Sequence, residues 1–244
     1  MFKCRRTLKK SHVSKREGES DSSSDFVSGQ EPHVYQPDIS TCNSGQENER
    51  IERVDNQITF FAEITPRTAG VLIRLIKEAD GYLAASGGDE VHILVASGGG
   101  DAACGLMLYD LISSMETKTH VTVCGECCSA ATMILCAADC REILPHSFIM
   151  MHEVSSSFSG TRSEMCVDLQ TTQLLDDAQR AIYVENSRMT LAEVVTELSH
   201  DGFIGAQEAL NRGLVDIVRR TRKRPTRKRG RKQYYSLKKQ DVKQ

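Results

Sequence analysis

The sequence predicts an α/β fold with a single domain, because short apolar runs alternate with helical segments along most of the chain. "VHILVA" and "HVTVCG" are compact apolar runs typical of buried strands. Both ends differ from this part, since the first fifty residues are polar and the last twenty-six are strongly basic. We therefore predict a core domain over residues 56–218, between a polar, disordered N-terminal arm or propeptide (1–55) and a basic, disordered C-terminal tail (219–244).

Apolar periodicity and end signals predict the order of the elements. Thr190 followed three residues later by Glu193 has the spacing of a capping box, and Gly213 has the position of a helix C-cap. The predicted order is helix 68–85, strand 91–96, helix 101–115, strand 120–125, helix 130–138, strands 141–145 and 148–152, helices 164–187, 190–199 and 206–213, and a last strand-like segment 214–218.

The total charge of −2 conceals a separation of charge along the chain. Residues 219–244 contain 13 of the 31 Lys and Arg residues and one of the 33 Asp and Glu residues, so they carry +12 and the rest carries −14. Such a tail is typical of a solvated segment, of a nucleic-acid-binding segment, or of a partner for acidic protein surfaces. Nucleic acid is thus one partner that the tail leaves open.

The nine cysteines predict reduced, buried thiols and no metal site. Cys124 and Cys127 have the CxxC spacing of zinc ligands. No second pair follows on an ordered turn, because Cys136 and Cys140 are predicted to lie in one continuing helix. An odd number of cysteines in apolar segments also favours a reducing compartment over secretion.

No stretch of the sequence has the length and apolarity of a membrane span or of a secretory signal. We therefore predict a cytoplasmic protein with no membrane partner. The basic, acid-free segment "MFKCRRTLKKSHVSKR" leaves an organelle transit peptide open as an alternative.

Four features could support chemistry, and each also has a purely structural explanation. The glycines at 98–100 can bring backbone N–H groups close to a phosphate or an oxyanion, or can form a tight turn. The spacing of a P-loop and that of a dinucleotide-binding turn are both absent. Ser129 could be a nucleophile or a helix N-cap, His152 a base or a strand end, and Asp201 an orienting acid or a turn residue.

Taken in order, the motifs "SGGGDAACGLMLYD", "GECCSAA", "FIMMH" and "DGFIGAQEALNRGLVD" resemble those of ClpP, the proteolytic subunit of the Clp protease. The resemblance extends from about Ile58 to Val218 and so covers nearly the whole predicted core. It implies a ClpP/crotonase-like spiral of repeated β-β-α units. Four motifs in the right order and with similar separations are far more specific than any one of them.

Carried over residue by residue, the resemblance implies a catalytic triad. Ser129 would be the nucleophile, His152 the general base, and Asp201 the residue that orients the imidazole. The backbone N–H groups of Gly100 and Ala130 would form the oxyanion hole. The remaining implied site residues are those that bind substrate: Gly99 and Asp101.

The implied function is a serine endopeptidase that cleaves unfolded or flexible polypeptides through an acyl-enzyme. The resemblance implies a homo-oligomeric ring, with a stacked double heptamer as one arrangement. It implies no cofactor in the chain, with ATP entering only indirectly if a AAA+ unfoldase partner exists. Two other functions remain as alternative hypotheses: a noncatalytic Clp-like assembly subunit and a crotonase-like acyl-CoA enzyme.

The chain departs from the family pattern on both sides of the predicted site. Two cysteines, Cys127 and Cys128, precede the serine, and "EVSSSFSG" follows the histidine in place of a glycine-rich strand that begins with Gln-Pro. These departures are as consistent with a divergent, virally encoded member in infected host cytoplasm as with a housekeeping subunit.

Overall fold

A nine-stranded sheet with six helices forms the part of the chain that the computed structural model describes, residues 34–35 and 49–220. The predicted α/β class is confirmed. The strands are β1 (Val34–Tyr35), β2 (Arg50–Val54), β3 (Gln57–Phe61), β4 (Glu90–Ser97), β5 (Lys118–Cys128), β6 (Cys140–Ile143), β7 (Phe148–Met150), β8 (Phe203–Gly205) and β9 (Ile217–Val218). The helices are α1 (Pro66–Ser86), α2 (Ala102–Ser113), α3 (Ala131–Cys136), α4 (Arg162–Asn186), α5 (Leu191–Leu198) and α6 (Ala206–Arg212).

The sheet is parallel in its centre and antiparallel at two margins. Its main path runs β1-β2-β3-β4-β5-β6-β9, and every pair from β3 to β9 along that path is parallel. The first three strands form an antiparallel meander, and β8 pairs antiparallel with β7. Helices α1, α2 and α3 connect successive parallel strands, because a parallel pair needs a long crossover connection.

Strand β5 changes partner halfway along its length. Residues 120–123 pair with β6, and residues 126–128 pair with β7. Gly125 lies at the change with a φ of 99°, and its N–H donates to the Ser147 hydroxyl at 2.7 Å. This split brings the carboxyl ends of β4, β5 and β7 to one edge of the sheet, where ligands bind in open parallel sheets.

Helix α1 shows how sequence periodicity builds the core. Its apolar residues recur every three or four positions, and Leu72, Leu75, Ala79 and Leu83 are buried. Each buried leucine contributes roughly 1.5–3 kcal/mol to folding. The helix ends where Gly87 adopts a left-handed φ of 79° and donates its N–H to Leu83 O.

The motif "GLVD" joins the C-terminal part of the fold to strand β6. The Asp216 carboxylate accepts two hydrogen bonds from the Arg141 guanidinium on β6, from Nε at 3.0 Å and from Nη2 at 2.8 Å. Burial disfavours the charged guanidinium, but the Asp216 carboxylate outweighs that cost and raises the pKa of Arg141. Such a bidentate pair fixes β9 against β6.

The capping residues predicted from the sequence are confirmed at two helices. Thr190 and Glu193 form a capping box on α5, and Gly213 ends α6 with a φ of 73°. The placement of Cys140 in a helix is wrong, because α3 ends at Cys136 and β6 begins at Cys140. Between them the Asp139 carboxylate accepts a hydrogen bond from the Thr119 N–H at 3.0 Å. This bond joins the residue before β6 to β5.

Some predicted segments fall partly or wholly outside the described residues. The basic N-terminal segment, most of the polar arm and residues 221–244 lie outside them. Strand β2 lies before the predicted boundary at residue 56, and its pairing with β3 adds it to the sheet. Arg219 donates its backbone N–H to Ile143 O at 3.0 Å, so the first residue of the predicted tail also joins the sheet edge. None of the helices within the described ranges has the length and apolarity needed to cross a membrane.

Candidate active site

Strand pairing brings Ser129 and His152 together. Ser129 follows directly after β5, and His152 comes two residues after β7. The two strands are parallel, with Cys128 opposite Met150, so both residues leave the same edge of the sheet. Their side chains meet there, with His152 Nε2 2.6 Å from Ser129 Oγ. That is the geometry of a hydroxyl nucleophile and its base.

Ser129 occupies a strained backbone position. Its φ of 53° lies in the left-handed region, which non-glycine residues rarely adopt. Backbone hydrogen bonds hold the residue on both sides: Ser129 N–H donates to Met150 O at 2.8 Å, and Thr132 N–H donates to Ser129 O at 3.0 Å. A sharp turn between strand and helix exposes the hydroxyl, which is the arrangement of the nucleophile in α/β-hydrolases.

A chain of buried hydrogen bonds links the carbonyl of Ser129 to that of His152. Thr132 Oγ1 donates to Ser129 O at 2.6 Å and lies 2.6 Å from the Tyr183 hydroxyl. The Gln179 amide donates to that hydroxyl at 3.2 Å and to His152 O at 3.1 Å. Because the Thr132 proton is used at Ser129, the Tyr183 hydroxyl must donate to Thr132, and every donor then has an acceptor.

This network was not predicted from the sequence. Tyr183 is fully buried, and burial raises its pKa well above the ordinary value, so it stays a neutral donor. Tyr183 and Gln179 lie one turn apart on α4, which is a detectable spacing. Their partner Thr132 is about fifty positions earlier, and nothing local to the sequence connects the two.

The glycine turn after β4 lies against Ser129 and against the segment before α1. Ile64 N–H donates to Gly99 O at 2.7 Å, and Asp101 N–H donates to Ile64 O at 2.8 Å. Gly99 and Gly100 have φ values of 99° and 141°. A Cβ at Gly99 would lie 2.6 Å from Ser129 Cβ, and one at Gly100 would lie 2.1 Å from Ile64 O. Both positions therefore need glycine for space as well as for conformation.

The two backbone N–H groups predicted for an oxyanion hole border the same cavity as Ser129. Within the described ranges, neither the Gly100 N–H nor the Ala130 N–H has a hydrogen-bond acceptor. Ala130 is buried, and buried N–H groups are almost always paired in proteins, whereas Gly100 is exposed and its N–H can reach a ligand or solvent. Both N–H groups are suited to an anionic oxygen that forms only during a reaction.

The two residues predicted to bind substrate have different surroundings. Asp101 borders the cavity, but its Oδ1 accepts the Cys104 N–H at 2.7 Å and caps α2. Gly99 packs against Ser129 and is not among the residues that border the cavity. The main contact of each is therefore with the protein itself.

Asp201 lies on the turn between α5 and β8, with a φ of 49° and an exposed side chain. Its carboxylate forms no hydrogen bond or ion pair with any other residue of the described chain, and the same holds for His152 Nδ1. Strand register relates the two residues. Met150 pairs with Phe203 in the antiparallel β7–β8 ladder, so the same register continued by two residues sets His152 opposite Asp201.

A cavity of 310 Å³ opens beside the serine and the histidine. One side consists of the glycine turn and the start of α3, and the other consists of α4 and the irregular segment after His152. Gly100, Ser129, Ala130 and His152 all border it. The hydroxyl, the imidazole and both unpaired N–H groups therefore belong to residues that border one cavity.

Comparison with known proteins decides the family. A family model described as Clp protease matches residues 44–222. The chain belongs to the Clp protease family. A protein of Chlorella vulgaris named "ATP-dependent Clp protease proteolytic subunit" is 32% identical over 130 residues, which cover 52% of this chain and 65% of the relative. The aligned part thus spans less than two thirds of that relative's length.

In this Clp family chain, cysteines occupy the two positions before Ser129. Burial raises the pKa of Cys128 to about 11 and that of Cys127 well above the ordinary value. Cys136 is also buried, with a pKa of about 12. The prediction of buried thiols is confirmed for these three residues, while Cys124 and Cys140 are partly buried and Cys166 is exposed. A neutral buried thiol is a poor nucleophile, so the chemistry of Cys128 is disfavoured by its burial.

Replacing Gly100 by alanine should destabilise this Clp family fold by about 3 kcal/mol or more, because the new Cβ meets backbone and the φ is closed to alanine. Gly98→Ala is a matched control two residues away, since the nearest atom to its Cβ would be 4.0 Å distant. Urea unfolding of the three proteins measures the effect. Equal unfolding midpoints for the two variants would contradict the packing described for the turn.

Proposed function

We propose that the chain is a serine endopeptidase in which Ser129 is the nucleophile and His152 is the general base. The observation that supports this most strongly is the 2.6 Å contact between Ser129 Oγ and His152 Nε2 beside an open cavity. A serine hydroxyl is a poor nucleophile until a neighbouring imidazole accepts its proton. The strained backbone of Ser129 and the hydrogen-bonded network behind it would hold the pair in this geometry.

The proposed reaction begins when Ser129 Oγ attacks the carbonyl carbon of a peptide bond. His152 Nε2 takes the hydroxyl proton as the new C–O bond forms, and the carbonyl oxygen becomes an oxyanion. His152 then gives the proton to the leaving nitrogen, the C–N bond breaks, and an acyl-enzyme remains on Ser129. Water attacks the ester in the same way, with His152 as base, and releases the second product.

The oxyanion would be bound by the N–H groups of Gly100 and Ala130. Both border the cavity with Ser129 and both lack an acceptor among the residues that the structure describes. In other serine hydrolases, loss of one such donor costs about 10²–10³ in kcat. The glycine at position 100 would then serve a second purpose, because any side chain there would displace the donor.

Polypeptide is the proposed substrate class, and the proposal includes no cofactor bound to this chain. The relative from Chlorella vulgaris is named as an ATP-dependent enzyme. We propose by extension that ATP acts on this system only through a separate AAA+ unfoldase. Folded substrates would then need that partner, whereas short flexible peptides would enter the cavity without it.

The noncatalytic and acyl-CoA alternatives are less well supported. A serine held within hydrogen-bond distance of a histidine, at the edge of an open cavity, favours a catalytic subunit over a noncatalytic one. The match to the Clp protease family favours peptide hydrolysis over acyl-CoA chemistry. A fluorophosphonate probe tests the choice, because we expect it to label Ser129 covalently, and an unlabelled chain would support one of the alternatives.

We also propose that the chain assembles into a homo-oligomeric ring, because α4 presents apolar side chains that the described part of the protein leaves uncovered. The exposed fractions of Met165, Val167, Leu169 and Leu174 lie between 44% and 71%. Val167 and Leu174 are seven positions apart and so share one side of the helix. Met165 and Leu169 are four positions apart on the opposite side, and contacts with neighbouring subunits would cover both apolar pairs.

The assembly proposal predicts that Leu174→Glu shifts the protein toward smaller species in sedimentation experiments, since a charge would be buried in the contact. Leu191→Glu is the control, because Leu191 is similarly exposed but lies on α5. A wild-type chain that sediments as a monomer throughout the micromolar range would contradict the proposal. So would equal effects of the two substitutions.

A further inference from the structure

Glu90, His92 and His120 form a cluster on the sheet face opposite the buried core. On β4, Val91, Ile93 and Val95 point into the core, so Glu90 and His92 lie on the other face. His120 is directly opposite His92 in the parallel β4–β5 pair. The strand register thus brings two imidazoles and one carboxylate together.

The donor atoms of the three side chains converge. His92 Nε2 is 3.0 Å from Glu90 Oε2, and His120 Nδ1 is 3.8 Å from the same oxygen. One donor atom from each residue lies within 4.8 Å of the others. A tetrahedral zinc ion with bonds of about 2.0–2.2 Å separates its ligands by about 3.4 Å, so small side-chain rotations would complete the geometry.

The far side of His120 has the carboxylate that a metal-binding histidine usually has. His120 Nε2 is buried, forms no hydrogen bond with the described residues, and lies 3.3 Å from Glu142 Oε2. Glu142 is held in place by Arg219, whose Nε donates to Oε1 at 2.9 Å, and by the Thr122 hydroxyl, which donates to Oε2 at 3.2 Å. A hydrogen bond from Nε2–H to Glu142 would leave the Nδ1 lone pair facing Glu90 and His92.

We propose that Glu90, His92 and His120 bind a zinc ion, with Glu142 orienting His120 and a water completing a tetrahedral site. Two imidazoles and a carboxylate are a donor set that zinc accepts readily. The ion would fasten β4 to β5 at the ends of these strands remote from Ser129. His92 is five residues before Ser97, or roughly 16 Å along the strand, so the ion would stabilise the fold and take no part in peptide hydrolysis.

Titration of the chelator-treated full chain with Co²⁺ and Zn²⁺ tests the proposal. We expect one saturable site for which His92→Gln and Glu90→Gln weaken binding more than tenfold, and Glu142→Gln weakens it about tenfold. The cobalt spectrum should lack thiolate-to-metal charge transfer, because the site contains no cysteine. Zinc should raise the melting temperature of the wild type and not that of His92→Gln.

His146→Gln is the matched control, since His146 is an exposed histidine outside the cluster. Its affinity should equal that of the wild type. His92 is 40% exposed, so its substitution keeps the experiment informative even where His120→Gln fails to fold. Equal affinities in wild type and His92→Gln would overturn the proposal, and so would a thiolate signature. Absence of any binding would also overturn it, and the cluster would then consist only of histidine–carboxylate contacts.

Discussion

Replacing Ser129 by alanine is expected to abolish fluorophosphonate labelling and to lower peptide hydrolysis by about 10⁴-fold or more. The change removes the hydroxyl that lies 2.6 Å from His152 Nε2 and leaves the proposed oxyanion donors in place. Hydrolysis measured on a short flexible peptide tests the chemistry without requiring an unfoldase. The residual rate should reflect binding and the oxyanion hole alone.

A second substitution separates chemistry from folding. Ser129 has a φ of 53°, which glycine adopts at no steric cost. Ser129→Gly should therefore be inactive but more stable than Ser129→Ala by about 1 kcal/mol in urea unfolding. Ser114→Ala, at the C-terminal end of α2, is the control that should retain activity and labelling. Persistent labelling of either position-129 variant would assign the nucleophile elsewhere.

The Ser129–His152 pair was predicted from the resemblance to the Clp proteolytic subunit, and the parallel strands before the two residues explain why they meet. Parallel strands end at one edge of a sheet, so residues just after neighbouring strands meet. The actual neighbour of β5 at that edge could not be predicted. The polar residue Glu126 interrupts the apolar run, so the strand was predicted to end at residue 125, whereas pairing with β7 continues it through Cys128.

Features made by long-range pairing could not be predicted either. Strand β8 has only three residues, two of them exposed, and forms because β7 offers a free edge. The contact between His92 and His120 depends on the register of β4 with β5, and a shift of one residue would separate the two side chains. Capping residues were predicted well because a cap and its partner are three residues apart.

Replacing Asp201 by asparagine is expected to lower kcat by about 10⁴-fold while KM changes little, if Asp201 orients His152 during the reaction. The β7–β8 register, continued two residues beyond its last pair, would set the two residues opposite each other, and catalytic hydrogen bonds are often formed only with substrate bound. Without the carboxylate, His152 can keep its proton on Nε2, and it then cannot accept the proton of Ser129. A residue that served only the fold would instead alter stability and KM together.

Asp55→Asn is the matched control for this substitution. Asp55 has a φ of 54°, close to the 49° of Asp201, and asparagine tolerates this conformation at both positions. The Asp55 side chain lies in the β2–β3 turn, away from the cavity. We expect full activity for Asp55→Asn, with circular dichroism and sedimentation unchanged in both variants. If Asp201→Asn keeps kcat within about threefold of wild type, then His152 acts without Asp201, and the active site is a Ser–His dyad whose imidazole is held through the carbonyl contact with Gln179.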